Sequence, residues 1–218
     1  MTSDPLSKGA RTRQAILREA ADLASVEGLD GLTIGRLAGD LDMSKSGLYA
    51  HFGSKQDLQL ATIEAARQVY VAEVLAPALR GGTGLARLLG LCDGFLSYVR
   101  RGVFPGGCFF AAAMAEFDCK PGPVRDRIAD LQGQWLDALR QAGADAVAAG
   151  ELLPGTDAEQ LAFDLEAAML SANWYVHLFS DDRYLDRAAR SVRARVAADR
   201  SGGPTPAPPS PLTEEGVS

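Results

Sequence analysis

The sequence predicts an all-α protein with a small N-terminal three-helix domain and a larger C-terminal helical domain. Apolar side chains recur every three or four residues from residue 11 to residue 200, which is the period of an α-helix. The breaks between these stretches contain glycine, proline or a helix-capping Ser, Thr or Asp. We place the domains at residues 1–54 and 55–200, and predict a disordered Pro/Gly-rich tail at 201–218. A chain of 218 residues that is 47% hydrophobic can bury such a core.

The first helix is predicted from Arg11 to Glu27, and Gly28 is its stop signal. Its apolar positions at helical spacing are Ile16, Leu17, Ala20, Leu23 and Ala24.

The stretch LTIGRLAGDLDMSKSGLYAHFGSK, residues 32–55, is typical of a helix, a tight turn and a second helix. Thr33 is the predicted N-cap of the first of these helices, and Ser44 is the N-cap of the second. Asp42 occupies the corner, where the backbone must turn left-handed. Leu48 and Phe52 are four residues apart and should point inward together.

The outward residues of the second helix suggest a nucleic-acid surface. The Lys45 ammonium group can bind a phosphate or a guanine, and Tyr49 and His51 can donate hydrogen bonds to phosphate oxygens. A plain two-helix corner with solvated polar side chains is the alternative that these residues leave open. The predicted DNA-binding residues are Thr33, Arg36, Ser44, Lys45, Ser46, Gly47, Tyr49, His51 and Lys55.

The run SKSGLYAHFGSKQDL, residues 44–58, follows the pattern T-x-x-x-L-A at residues 33–38. Together they closely resemble the DNA-binding domain of the TetR family of bacterial regulators. Asp42 stands where the family usually has glycine, and Gly35 lacks a side chain that often helps at the DNA. The resemblance implies a homodimeric repressor, a C-terminal ligand-binding and dimerisation domain, and a palindromic double-stranded operator with half-sites about 10 bp apart.

The net charge is −6, from 22 basic and 28 acidic residues, which is unusual for a free-standing nucleic-acid binder. A local basic arm of Lys8, Arg11 and Arg13 offsets this near the predicted DNA surface. No run approaches eighteen apolar residues, and the amino terminus lacks the apolar stretch of a signal peptide. We therefore expect a cytoplasmic protein with no membrane partner.

Further helices follow in order. Ser54 and Asp57 resemble a capping box for a fourth helix, and Pro77 with the glycines at 81–84 predicts a break. Pro123 is predicted to open a long helix, and Thr156 with Glu159 resembles a capping box for the next. The last helix, residues 182–200, has an arginine-rich face that we expect to be solvated.

The stretch RRGVFPGGCFFAAAMAEFDCKPGP, residues 100–123, places aromatic residues beside small ones around a Pro-Gly-Gly turn. That combination suits an apolar pocket between helices, although the same residues could simply fill the core. The predicted pocket residues for an unknown small-molecule effector, largely apolar, are Cys92, Phe95, Phe104, Cys108, Phe110, Met114, Phe117, Trp135, Trp174 and His177.

The resemblance also implies that the last pair of long helices forms a four-helix bundle with its twin in the dimer. The predicted interface residues are Ala142, Leu161, Leu165, Ala168 and Ala172.

Catalytic motifs are absent from the sequence, and neither an enzyme nor a cofactor is predicted. The two histidines lie in different predicted domains, and the three cysteines lack the C-x-x-C spacing of a zinc site. Two alternatives stay open. Cys108 could sense oxidants or electrophiles, or the C-terminal cavity could hold an enzyme site using His177, Glu116, Asp118 and the cysteines.

Overall fold

A computed structural model describes residues 8–200. The predicted tail at 201–218 lies outside these residues, as does the side chain of Lys8 in the predicted basic arm. The described chain is helical apart from one isolated antiparallel bridge between Leu152 and Arg200. Its helices are α1 (Lys8–Glu27), α2 (Ile34–Asp40), α3 (Lys45–Phe52), α4 (Lys55–Tyr70), α5 (Ala76–Arg80), α6 (Gly84–Arg100), α7 (Phe109–Phe117), α8 (Pro123–Ala148), α9 (Ala158–Phe179) and α10 (Arg183–Ala198).

The first three helices form the predicted compact domain. The Thr33 hydroxyl oxygen accepts a hydrogen bond from Arg36 N at 3.1 Å, and the Ser44 hydroxyl oxygen accepts one from Gly47 N at 3.1 Å. Both N-cap predictions are therefore confirmed. Asp42 has φ 49°, so the predicted left-handed corner is confirmed as well.

The helix after this domain is longer than predicted. Ser54 caps α4 through Asp57 N at 3.0 Å, as expected, but the helical path continues beyond Tyr70 through a π-helical turn, Val71–Leu75, into α5. Pro77 lies inside the first turn of α5, so the chain does not break at Pro77, whereas the predicted break at the glycines is confirmed: α5 ends at Arg80 and α6 begins at Gly84. The π turn bonds Ala76 N to Val71 O, and this wider turn adjoins the proline, which cannot donate a backbone hydrogen bond.

A second capping prediction is also wrong. Asp157, not Thr156, is the N-cap of α9, because its carboxylate accepts hydrogen bonds from Glu159 N at 2.9 Å and Gln160 N at 3.0 Å. The hydroxyl oxygen of Thr156 is buried and has no hydrogen-bond partner among the residues that the structure describes. An ionised carboxylate that accepts two backbone N–H groups is the stronger cap.

The second helical layer is built from α6, α8, α9 and α10, and α9 packs most extensively against α10. Leu185, Val192 and Val196 of α10 are buried, so one face of this helix packs against the rest of the domain. On its other side, Arg193 pairs with Asp93 at 3.2 Å and Arg195 pairs with Asp164 at 2.6 Å. Within residues 8–200, no helix is both long and apolar enough to cross a bilayer.

The residues predicted to form the dimer interface lie inside the protomer. Ala142, Leu161 and Leu165 are fully buried, Ala172 is 3% exposed, and Ala168 is half-buried. The apolar face that these residues mark on α9 is needed for packing against the protomer's own helices. Four of the five interface predictions are therefore wrong, because a side chain already covered by its own chain has no surface to offer a partner.

Candidate DNA interface and candidate effector cavity

Helix α3 presents an exposed polar face. Leu48 is fully buried and Phe52 is 6% exposed, so the helix is held against the small core by these two side chains. Lys45, Ser46 and Tyr49 then lie on the solvent side, and Tyr49 is 55% exposed. An exposed tyrosine, lysine and serine near a helix N-terminus supply the donors that phosphate oxygens and base edges accept.

Gly35 of α2 lies beside Lys45. A Cβ added to Gly35 would stand 3.4 Å from Cε of Lys45 and 3.6 Å from its Nζ. The missing side chain therefore leaves the lysine room to lie across α2. Within residues 8–200, the Lys45 ammonium group forms no ion pair, so its charge is available to a ligand.

Two other predicted DNA-binding cations have partners inside the protein. Nη2 of Arg36 pairs with Glu27 Oε1 at 2.8 Å, and Arg36 also pairs with Asp40. Its hydrogen bond holds the pKa of Glu27 below the usual value. Lys55 donates to the backbone oxygen of Asp30 at 2.6 Å and to its carboxylate at 3.0 Å. These two side chains tie the domain together in this structure.

The remaining predicted residues surround α3. The oxygens of Thr33 and Ser44 act as helix caps, and both residues remain exposed at the surface. His51 is half-buried with its ring centroid 6.2 Å from that of Phe52. On the other side of Phe52, the guanidinium group of Arg13 lies 5.1 Å from the ring centroid and joins the start of α1 to the end of α3.

A cavity of about 70 Å³ lies between α4, the π turn, α6, α7, α8 and α9. Five of the ten predicted pocket residues line it: Phe95, Cys108, Phe110, Met114 and Trp135. The Pro-Gly-Gly turn is therefore followed by a helix, α7, that forms one wall of the cavity.

The structure does not bring the other five predicted residues to this cavity. Cys92, Phe104 and Phe117 are buried in the surrounding core. Glu166 and Leu170 lie on the side of α9 that faces the cavity, and the buried Asn173 lies further along that side. Trp174, the next residue, lies on a different side of the helix and is 50% exposed. His177, three residues later, is also exposed.

Sequence reasoning missed the contribution of α4 and the polar part of the lining. A clear signal existed for one residue: Glu166 is an acidic residue between Leu165 and Met169 on the buried face of α9. The lining residues that were not predicted are Arg67, Tyr70, Val71, Leu75, Ala111, Leu131, Gln132, Gln134, Glu166 and Leu170.

The cavity wall is largely aromatic. The Tyr70 ring meets the Trp135 and Phe110 rings edge to face, with centroids 5.5 Å and 5.7 Å apart, and Phe95 stacks on Trp135 at 6.3 Å. Glu166 accepts hydrogen bonds from Trp135 Nε1 at 2.6 Å and from Gln132 Nε2 at 3.0 Å. Burial raises the pKa of Glu166 above its usual value, and these two hydrogen bonds oppose the rise.

The segment that lines the cavity also contacts the DNA-binding domain. Before α7, Gly106 N donates to the Ser25 hydroxyl at 3.0 Å, and a Cβ on Gly106 would stand 1.8 Å from the Ser25 backbone oxygen. At the end of α7, Glu116 Oε2 accepts from Asp30 N at 3.0 Å, and Lys120 pairs with Asp30 at 2.8 Å. Both ends of the segment therefore hold the region where α1 ends and α2 approaches.

The surroundings of all three cysteines disfavour the thiolate form. Burial raises the pKa of Cys92 to about 12 and the pKa of Cys108 to about 11. Cys119 is exposed, and the neighbouring Asp118 raises its pKa. Because the thiolate is the nucleophile, these shifts argue against a thiol sensor at Cys108. The described residues contain no cluster of His, Cys, Asp and Glu that could hold a metal ion.

Two family models match the chain. Residues 16–62 match the model described as bacterial regulatory proteins of the tetR family, and residues 84–192 match the model described as the C-terminal domain of tetracyclin repressor-like proteins.

Individual proteins match over most of the chain. The HTH-type transcriptional regulator TcmR of Streptomyces glaucescens is 25% identical over 207 residues, covering 87% of this chain and 86% of that protein. A TetR transcriptional regulator from Chloroflexus aurantiacus has a crystal structure with a TM-score of 0.83 and 25% identity, covering 89% of this chain and 98% of that one.

A further protein with the same fold was solved in complex with ligands. AibR, in complex with isovaleryl coenzyme A and operator DNA, shares the fold at 22% identity and a TM-score of 0.65, covering 81% of this chain and 95% of that one. The helix-turn-helix geometry, the helical second domain and the two family matches agree, and this chain belongs to the TetR family of DNA-binding transcriptional regulators.

Proposed function

We propose that this regulator is a homodimeric repressor that leaves a palindromic operator when a small, largely apolar molecule occupies the cavity. The observation that most strongly supports this function is that the cavity is walled by the two elements that hold the DNA-binding domain in place. These elements are α4 with its π turn, and the segment from Gly106 to Lys120.

The proposed DNA contacts centre on α3. Lys45 and Tyr49 project from its exposed face, and Ser46 and Gly47 at its N-terminal end allow close approach to the duplex. Thr33, Ser44 and His51 surround this face and are proposed to contact phosphates. Arg36 and Lys55 reach phosphate only by leaving Glu27, Asp40 and Asp30, so we assign them a smaller share of the binding free energy.

The first coupling element is α4. Lys55, its first residue, holds Asp30 of the DNA-binding domain, and buried Gln59 donates to Leu29 O at 3.0 Å. Fifteen residues after Lys55, Tyr70 lines the cavity, followed by Val71 and Leu75 of the π turn. A ligand that displaces these residues would tilt a helix rooted next to α3. π turns are frequent at functional sites, in keeping with this role.

The second coupling element is α7 with its flanking loops. Cys108, Phe110 and Met114 line the cavity, whereas Gly106 and Glu116 grip α1 and the following turn. A ligand that moves α7 would therefore also move Gly106 and Glu116. These two residues are hydrogen-bonded to Ser25 and Asp30.

The size of the cavity gives a reason for a change of state. Its volume of about 70 Å³ is small beside the roughly 300–1,000 Å³ of ligand pockets in general. An effector of ordinary size must push α4 and α7 apart, so it would bind the widened state more tightly. Such a difference in affinity is what shifts a population away from the DNA-binding state.

The proposed dimer surface is the outer face of α9. Phe163, Trp174 and Leu178 are 65%, 50% and 71% exposed and form one stripe along the helix. Beside the stripe, Phe179 stacks on Tyr184 of α10 with ring centroids 5.5 Å apart. An exposed apolar stripe of this length is typical of an interface between protein chains. A two-fold axis through it would set two α3 helices on successive major grooves.

The experiment that tests this function is selection of binding sites from a random duplex pool by the purified protein. The expected product is a palindrome with half-sites about 10 bp apart. A promoter carrying the selected site should then be repressed in a reporter strain that expresses the protein. Selection of a single half-site would contradict the dimer, and increased transcription would contradict repression.

A further inference from the structure

The lining of the cavity includes a buried carboxylic acid, Glu166, which packing alone does not require. Glu166 is 7% exposed, and its carboxylate lies at the cavity wall among aromatic rings. Taking a carboxylate out of water is costly unless a cation or a full set of hydrogen bonds compensates it. A glutamine or leucine would fill the same position without that cost.

The hydrogen bonds of Glu166 are those of an ionised carboxylate. One oxygen accepts from Trp135 Nε1 at 2.6 Å, and the other accepts from Gln132 Nε2 at 3.0 Å. In a protonated acid, one of the two oxygens bears the proton and becomes a poor acceptor. Donors directed at both oxygens, one of them at short distance, therefore favour the negative charge.

Within residues 8–200, this negative charge has no cationic partner. Both groups that bond to Glu166 are neutral, and Arg67, the cation in the cavity lining, pairs with Glu64 at 2.9 Å. The acids around it, Tyr70, Cys92 and Cys108, stay protonated at neutral pH because burial raises their pKa values. When Glu166 is ionised, two neutral hydrogen-bond donors and no cation of residues 8–200 therefore balance its charge.

The aromatic rings around the carboxylate complement the same kind of ligand. Tyr70, Phe95, Phe110 and Trp135 line the cavity within one cluster of ring contacts. The faces of aromatic rings attract cations, most strongly when water is excluded. We propose that the effector is an organic cation, an apolar or aromatic group bearing a protonated amine or a quaternary nitrogen, which places its positive charge on Glu166.

This inference rests on the proposed effector function of the cavity, and three small probes separate the two. The probes are 2-phenylethylammonium, 2-phenylethanol and phenylacetate, which share one ring and differ in charge. Each is titrated calorimetrically at neutral pH into the full-length protein. The cation should bind about tenfold more tightly than the alcohol, and the anion more weakly than either.

Variants assign the preference to Glu166. Glu166→Gln should weaken binding of the cation about tenfold and leave the alcohol within about threefold, because the variant removes the charge and keeps the size of the side chain. Glu166→Asp should keep part of the preference, which guards against an effect of packing alone. Glu19→Gln, at an exposed position of α1, is the matched control and should bind all three probes as the unmodified protein does.

The outcomes are distinct. Equal binding of the cation and the alcohol, or a cation affinity that Glu166→Gln does not change, would overturn the cationic ligand and leave the cavity as an effector site. Failure of all three probes to bind would overturn both the cationic ligand and the effector role of the cavity.

Discussion

Lys45 is the residue whose charge is best placed for DNA. It is exposed at the start of α3, and no acidic residue among 8–200 neutralises it. We expect Lys45→Ala to weaken binding to all duplexes and to lower the slope of log affinity against log salt by about 1, because one phosphate contact is lost. Fluorescence anisotropy with a labelled duplex over a range of KCl concentrations measures both quantities.

Arg190→Ala is the control for Lys45→Ala, because it removes the same charge from an exposed position on α10. Its salt slope should match that of the unmodified protein. A folded Lys45→Ala protein with an unchanged slope would contradict the placement of α3 at the DNA.

Asp42 is strained by its backbone conformation. Its φ of 49° is a left-handed value that glycine adopts without steric cost. We expect Asp42→Gly to raise the free energy of unfolding by up to about 1 kcal/mol, and Asp42→Val to lower it by about 1 kcal/mol or more. Urea denaturation followed by circular dichroism measures both changes. If Asp42→Gly proved clearly less stable, a stabilising contact of the aspartate side chain would have to outweigh the backbone term.

At the scale of elements, we expect the loop before α7 to couple the cavity to the DNA-binding domain, because this loop packs closely against α1. A Cβ on Gly106 would stand 1.8 Å from the Ser25 backbone oxygen, so Gly106→Ala must push the loop away. We expect operator affinity to fall about 2- to 30-fold, the range that corresponds to couplings of about 0.5–2 kcal/mol, although Gly106 lies outside α3. Anisotropy measures the affinity, and a thermal melt confirms that the variant is folded.

Gly155→Ala is the matched control, since its added Cβ would meet no atom of the described residues within 4 Å. It should leave the affinity unchanged. If Gly106→Ala were folded and bound the operator as tightly as the unmodified protein, the loop would not be part of the coupling.

Sequence patterns were sufficient to predict the helix caps. Caps at Thr33, Ser44 and Ser54 were predictable because each uses a hydroxyl oxygen and a backbone N–H three residues away. The π turn after Tyr70 was not predictable, because the residues Val71–Leu75 are ordinary helix formers. In the tertiary structure this stretch packs against α6.

For the whole molecule, the exposed stripe of α9 should hold the dimer together. Leu178 is 71% exposed, and Leu178→Glu would put a charge into the proposed apolar interface. We expect this variant to be monomeric and to lose at least about tenfold in operator affinity, because the second half-site no longer adds to binding. Size-exclusion chromatography with light scattering gives the mass.

Leu79→Glu makes the same substitution at an exposed leucine on α5, away from the stripe, where Leu79 is 57% exposed. This control should remain dimeric. If Leu178→Glu also remained dimeric, the interface would have to lie on another face.

The sequence by itself determined the helical class, the helix-turn-helix and the family, because these depend on local spacing, caps and a contiguous motif. Only the tertiary structure decided which apolar residues face a cavity, a core or solvent. Phe95 and Phe104 are equally apolar in the sequence, yet one lines the cavity and the other does not. The same holds for charge: Lys45 forms no ion pair among residues 8–200, whereas Lys55 is bound to Asp30, twenty-five residues away. Helical periodicity shows that a helix has a buried face, but the partner of that face is set by long-range packing.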